Sequence, residues 1–472
     1  MDAIRKILLT ALLGLIGFSA SAQKMGEATT RCEVGFLYQI SYQPNWGDSR
    51  AVVAEVFPGS PAAEAGLRVG DIIETINGLS TQEISEEELT RILLDPNHGS
   101  VELTISNFAY RSKPVTIRKK CIPIDALSEA VLARSFNMYS LEDVTDRRFT
   151  MPFSYNTPAE VDFINFKSFS FERGKRPTAE ERSIQAELQR KGLVYVEKGG
   201  DLLVSVHAKL EANPSYREGA ESDVEMGLKN YRLNTEKGDI QQYPFLSINA
   251  PSFTGTHKLT IEVDIFDAAT NTKIWSGIAR EKLNGTYSSE RYMQNFAPLL
   301  MSNFPFVRYL MNPSFVMHKN TYRSIGIYLD ANDLQRVLWV DKNSPAEKAG
   351  IKAGDRIVTI NGIPLEKSVK VATEYYFNFV KKSFDLRDEE TRFPSNDGFQ
   401  NNRYWRLDKY SEISAMIQNP AYRSVFSYLF SHRSYVHSPI IEDIILEVKR
   451  GESTEPVLIK PVKVAHDYVE LF

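Results

Sequence analysis

The sequence predicts an α+β multidomain chain, with two small modules of one kind around a central α/β domain whose sheet is mostly antiparallel. Two observations carry this. SPAAEAGLRVGDIIETING begins at Ser60 and SPAEKAGIKAGDRIVTING begins at Ser344, and the two stretches align without a gap. Copies so far apart describe two like modules with something different between them, not a stacked solenoid. Between them lie long stretches that alternate apolar and polar residues, such as residues 258–267. That period of two marks half-buried strands.

The 472 residues suffice for about three domains. Hydrophobic residues make up 42% and charged residues 25%, the balance of a globular chain. The net charge of −4 gives no basic field, which argues against a nucleic-acid partner. Arg5 and Lys6 precede a short apolar run from Ile7 to Phe18, and Ala20-Ser21-Ala22 forms a cleavage site. This pattern predicts a signal peptide over residues 1–22 and a periplasmic or secreted mature protein. The alternative, a retained membrane anchor, is disfavoured by the length of the run. Cys32 and Cys121 are the two cysteines and flank the first module. Export, pairing and placement favour a bridge, worth ~4–5 kcal/mol in the chain-entropy model, over two separate buried thiols.

Within the repeat each residue has a local reason. Ser60 and Ser344 cap a short helix, and Pro61 and Pro345 take its first position, where a missing N–H costs nothing. Gly66 and Gly350 close that helix, Asp71 and Asp355 turn the chain into a strand, and Asn77-Gly78 and Asn361-Gly362 read as tight turns.

This pattern resembles the PDZ family, in the form found in bacterial envelope proteases and their relatives. The resemblance implies partly open β-barrels with flanking helices over residues 32–121 and 322–465. It also implies a carboxylate-binding loop leading into a strand that pairs with a peptide ligand. Val34-Gly35-Phe36-Leu37 and Ile325-Gly326-Ile327-Tyr328 stand in that place, each without the family's first loop glycine. Backbone N–H groups of such a loop hold a terminal carboxylate, and an extended peptide adds to the strand. A groove helix with Leu89 and Leu93 is expected to wall the first pocket. For the second module, Tyr410 to Pro420 aligns with that helix and offers Ile413 and Ile417. This alignment leaves insertions at about residues 366–409 and 421–442. They border the second groove, so the alternative for that copy is a structural module with a blocked groove. The aromatic residues of the first insertion are expected to cap the module and dock it on the middle domain, or else to form a partner surface.

Residues 122–148 read as a helical connector. The central stretch, 149–313, opens with an alternating strand expected from Val161 to Phe171 and closes with a helix ending at Phe304-Pro305. Its KSFSF opening and VDIFDAATNTKIWSG hairpin resemble the DUF4136 family of envelope domains, which implies a fold and no activity. Residues 213–251 match nothing and read as an irregular insertion.

No GxSxG, HExxH or metal-type cysteine cluster is present, so no catalytic residue, metal ligand or cofactor is assigned. The expectation is an exported, non-enzymatic scaffold or adaptor that binds C-termini or extended peptides of envelope proteins. The alternative is an envelope protease or hydrolase with its site in the central domain. The Val469-Glu470-Leu471-Phe472 tail has the character of a PDZ ligand, so self-association through Phe472 is a further expectation; the alternative is the end of a strand.

Overall fold

The computed structural model describes residues 30–135, 146–157, 161–172, 176–218, 231–234, 239–242, 252–253, 255–283, 288–318, 321–393, 402–417, 419, 422, 443–466 and 468–471. The expected signal peptide, the connector from residue 136 to 145, most of the second insertion and Phe472 lie outside them. The fold is mixed α+β with mostly antiparallel sheets. Among the described residues no helix is long and apolar enough to cross a membrane.

The first module begins with β1 (Thr30–Glu33) and ends with β8 (Lys120–Pro123). These two pair antiparallel, with Cys32 opposite Cys121, and a disulfide joins them. Between them a six-stranded sheet runs in the order β2 (Phe36–Ile40), β3 (Ala51–Val56), β4 (Ile72–Ile76), β6 (Ser100–Ser106), β7 (Lys113–Arg118), with the short β5 (Leu79–Ser80) beside β4. The repeat folds as its residues dictate. Ser60 caps α1 (Pro61–Glu64) by accepting from the Ala63 amide. The Asp71 carboxylate accepts from the Arg68 amide and the Asn107 side chain, closing the turn into β4. Asn77 and Gly78 both take positive φ, as a twisted hairpin turn requires. Helix α2 (Glu86–Leu94) covers one end, capped by Ser85, and Lys119 Nζ donates to the Ile92 and Asp95 carbonyls at its other end.

The central domain is a six-stranded sheet in the order β11 (Phe153–Asn156), β18 (Thr272–Leu283), β17 (His257–Asp267), β14 (Leu202–Ala212), β12 (Ser168–Phe171), β13 (Val194–Tyr195). Only the pairings of β12 are parallel. Helices α4 (Ala179–Arg190) and α5 (Ser289–Leu300) place Ile184, Leu188, Met293 and Phe296 in its core. The expected strand from Val161 to Phe171 is broken. Phe163–Asn165 forms a 3-10 turn and only Ser168–Phe171 pairs. The cause is docking: Phe163 packs edge-on against Phe304 and its amide donates to the Asn45 carbonyl of the first module. Trp46, Val52, Ile72 and Phe108 of that module enter the same core. Trp46 and Phe108 lie 4.8 Å apart, and Phe108 stacks on Phe304 at 5.8 Å. The first module and the central domain therefore share one apolar interior. The insertion expected at residues 213–251 carries a described hairpin, β15 (Tyr231–Asn234) with β16 (Asp239–Gln242).

In the second module β20 (Thr321–Ser324) pairs with β29 (Val462–Ala465), as β1 pairs with β8. Its sheet runs β28 (Ser453–Ile459), β27 (Ile444–Arg450), β23 (Arg356–Ile360), β22 (Asp333–Val340), β21 (Ile327–Asp330), with the short β24 (Ile363–Pro364) on β23. Ser344 caps α6 (Pro345–Lys348), as Ser60 caps α1. The sequence alignment of the groove helix needs correction. Directly after β24, in the place α2 holds after β5, stands α7 (Val369–Lys382), capped by Ser368. Its Ala372, Tyr376 and Phe379 fill the module's core. The helix expected from Tyr410, α8 (Tyr410–Ile417), contributes Ile413 to that same core as an additional element. The insertion therefore starts after α7 rather than at residue 366. It includes β25 (Arg387–Phe393) and β26 (Asn402–Trp405). Of the aromatics expected to cap or dock the module, Tyr376 and Phe379 serve its own interior.

A last sheet has three strands: β10 (Asp146–Thr150), β19 (Ser314–His318) and β30 (Tyr468–Leu471). The tail expected as a free ligand is thus engaged as a strand, with Leu471 opposite Phe315 and buried. A strand already paired this way has no freedom to lie in a groove.

Candidate peptide-binding grooves

Each module builds a loop around one glycine. Gly35 has φ +83° and Gly326 φ +84°, a region open cheaply only to glycine. Space demands glycine as well. A Cβ on Gly35 would fall 2.1 Å from Ser60 Cβ, and one on Gly326 would fall 2.3 Å from Ser344 Cβ. The repeat thus clamps the loop from behind. The Ala62 amide donates to the Val34 carbonyl, and the Ala346 amide donates to the Ile325 carbonyl, each at 2.9 Å. The Phe57 amide and the Ser60 hydroxyl both donate to the Gly35 carbonyl at 2.9 Å. These bonds consume the loop carbonyls and none of the loop amides.

In the first module Val34, Phe36, Leu89 and Leu93 are buried in one cluster, so the expected pocket residues are brought together. Leu37 points outward and is 40% exposed. The sequence reading missed Tyr38. Its hydroxyl lies 2.7 Å from Thr90 Oγ1 on α2 and donates to the Glu86 carbonyl, bridging strand and helix across the groove. Burial pushes that phenol up. Strand β2 is the edge of its sheet, and among the described residues no strand pairs with its outer side.

The second groove is filled. Strand β9 (Ala126–Ser128) pairs antiparallel with β21, setting Ser128 opposite Tyr328, Leu127 opposite Leu329 and Ala126 opposite Asp330. The next residue is Glu129, and its carboxylate lies in the loop. It accepts from the Ser324 hydroxyl and from the amides of Ile325 (3.1 Å), Gly326 (2.9 Å) and Ile327 (3.4 Å). The side chain is buried. Burial pushes its carboxyl up to about 7, outweighing these donors, which favour the anion. The connector then continues as α3 (Glu129–Ser135), whose Leu132 enters the module's core beside Ile325 and Ile327. The expected plain helical connector is thus a strand and then a helix, and the strand is what the sequence reading missed. Tyr328 is held from the other side by Lys120 Nζ at 2.6 Å, which also pairs with Asp341 at 2.7 Å. Ile413 lies in this core; the Ile417 side chain is outside the described residues.

Elsewhere the chemistry is sparse. Among the described residues no group of His, Cys, Asp or Glu could hold a metal ion. Ser205 donates to Glu172 at 2.8 Å and lies 2.9 Å from His207 Nε2. That order puts the serine in the middle, whereas a nucleophile relay needs the histidine there. Glu281 is buried, accepts from the Tyr292 hydroxyl at 3.0 Å, and is pushed up to about 8 by burial. A cleft of about 370 Å³ runs between α4 and α5, past Arg182, Glu187, Glu290 and Met293.

The PDZ domain family matches residues 52–107 and 336–375, and a domain of unknown function, DUF4136, matches residues 154–306. The second PDZ match reaches into α7, as the first spans α2. Both glycine loops lie outside the matched stretches. The crystal structure of a PDZ domain protein from Parabacteroides distasonis is similar over 94% of this chain and 100% of its own, at 31% identity and a TM-score of 0.81. A PDZ domain of a carboxy-terminal protease from Vibrio cholerae, solved in complex with peptide, aligns with 20% of this chain and 97% of its own, at 20% identity and a TM-score of 0.17. A curated Thermotoga maritima protein named "Putative zinc metalloprotease" is 48% identical over 56 residues, which span 11% of each chain.

Proposed function

We propose a function from one premise: the chain belongs to the family of the Parabacteroides distasonis PDZ domain protein, and carries PDZ domains at two places around a DUF4136 domain. PDZ domains mediate peptide binding. In our reading the protein is an exported, non-enzymatic scaffold that captures C-termini or extended peptides of envelope proteins in its first groove. One observation carries this: the glycine loop at Gly35 leads straight into an edge strand, β2, whose outer side has no strand partner among the described residues. A peptide would add to β2, place its terminal carboxylate at the Gly35 and Phe36 amides, and displace the Tyr38–Thr90 bond as its side chains enter between β2 and α2. Export is supported by the N-terminal pattern and by the Cys32–Cys121 bridge, which an oxidising compartment preserves. Ser205, which sits between an acid and a histidine, lacks the order that a nucleophile relay needs.

The test is a titration of the mature protein against an array of peptides with free C-termini, followed by fluorescence anisotropy. Saturable binding is expected. It should fall at least about tenfold in Thr90→Trp, an exposed position where bulk fills the groove, and vanish in Phe36→Asp. An array with no saturable binder to the folded wild-type protein would end this reading.

A further inference from the structure

We propose that the second PDZ domain is an intramolecular joint whose ligand is the chain's own Ala126–Glu129, leaving the first groove alone for peptides from outside. Three independent observations meet here. The first is direction and register. Strand β9 lies antiparallel on β21, as an added ligand strand does, and the Ala331 amide extends the ladder to the Asp125 carbonyl at 2.8 Å. The second is the carboxylate. Glu129 delivers a side-chain carboxylate to the loop amides that would receive a chain terminus, and one oxygen, Oε2, meets the Ser324 hydroxyl and the Gly326 and Ile327 amides together. The third is the onward path of the chain. A true C-terminus would stop, but here the Ser128 hydroxyl accepts from the Val131 amide and the chain turns into α3, sending Leu132 into the module's core. A segment anchored on both sides of the loop is part of the fold.

The tether makes the occupancy firm. Only Ile124 and Asp125 separate β9 from β8, which is stapled to β1 by the disulfide. Arg31 reaches from β1 to the Ala126 carbonyl at 3.2 Å, and Lys120 ties β8 to Asp341 and Tyr328. Held in the same chain and fixed against the second module by these contacts, the segment competes as an intramolecular ligand, which disfavours a free peptide. Among the described residues it is this segment, and not the neighbouring insertions, that occupies the edge of β21.

The probe is the synthetic peptide Ile-Asp-Ala-Leu-Ser-Glu with a free C-terminus, titrated into the full mature protein by calorimetry. The wild type should gain nothing at the second groove. The double variant Leu127→Asp, Glu129→Ala should bind one more equivalent than the wild type, whatever the first groove takes up. The readout is the increment, so a silent first groove does not mask it. A folded double variant with no extra equivalent overturns the proposal, as does a wild type that already binds two. Hydrogen exchange on the unaltered protein is the second measurement. Amides 325–327 and 331 should exchange as slowly as those of β23; exchange at the rate of an exposed loop overturns the joint without any variant.

Discussion

In the first PDZ domain the chain turns through Gly35 and runs along β2, with no strand beyond it among the described residues; in the second it turns through Gly326 and meets Ala126–Ser128 already in place. The two loops share their glycine conformation, their serine clamp and their alanine amide bond. The ends of each module are tied by a two-stranded sheet, but the first has a disulfide where the second has Arg323 opposite Lys463. What differs in the groove is set by Glu129, a residue just beyond the first module. A repeat can therefore build the same receptor twice while its surroundings decide whether that receptor faces outward or serves the fold.

The comparison can be broken at the loops, where the largest effect is expected. Gly35→Ala and Gly326→Ala should each cost roughly 4 kcal/mol or more, from left-handed strain plus overlap with the serine behind. Denaturant unfolding would read both, and a tolerant Gly326 would show that the second loop is not built like the first. Next comes the covalent difference. Replacing Cys32 and Cys121 by alanine should cost roughly 4 kcal/mol by releasing an 89-residue loop, measured under non-reducing conditions. A smaller pH effect belongs to the second groove alone. The Glu129 carboxyl is held near 7 in the fold against its ordinary 4.5, so the folded state binds the extra proton. Its contribution is present below pH 4.5 and is lost as pH rises through 7, by at most about 3 kcal/mol. Glu129→Gln should flatten that part of the stability profile. Glu55 and Glu281, also raised by burial, remain in both proteins and cancel in the difference. Smallest is Tyr38→Phe, which removes the bridge to Thr90 and should cost about 1 kcal/mol, with no counterpart across the second groove among the described residues.

Much of this was legible in the residues because its causes are local. Ser-Pro caps, Asn-Gly turns and the Gly-Asp step each act within a few positions, and each forms in both copies. The cysteine pair was legible because only one partner existed for each thiol. What escaped depends on contacts between distant segments. Nothing near Glu129 announces that its carboxylate meets Gly326, since an acidic residue at a helix start has an ordinary local explanation in the helix dipole. The alternation around Phe163 looks like a strand until Phe304 and Asn45 draw it into a turn. Helix α7 was hidden by its own aromatics, which read as surface or docking residues although Tyr376 and Phe379 occupy the core.

The small sheet of β10, β19 and β30 has a consequence for how the protein is made. Its strands come from residues 146–150, 314–318 and 468–471, so its parts leave the ribosome in three widely separated instalments. The first module and the central domain, which share one apolar interior, can begin to condense together as they are synthesised. The sheet cannot, because β19 waits for a neighbour that is made more than a hundred residues later. Until β30 arrives, the edge of β19 that will pair with Leu471 is open to any other strand in reach. A chain clipped between residues 465 and 468 would thus carry two finished PDZ domains and one unprotected edge, a template for pairing with a strand of another chain.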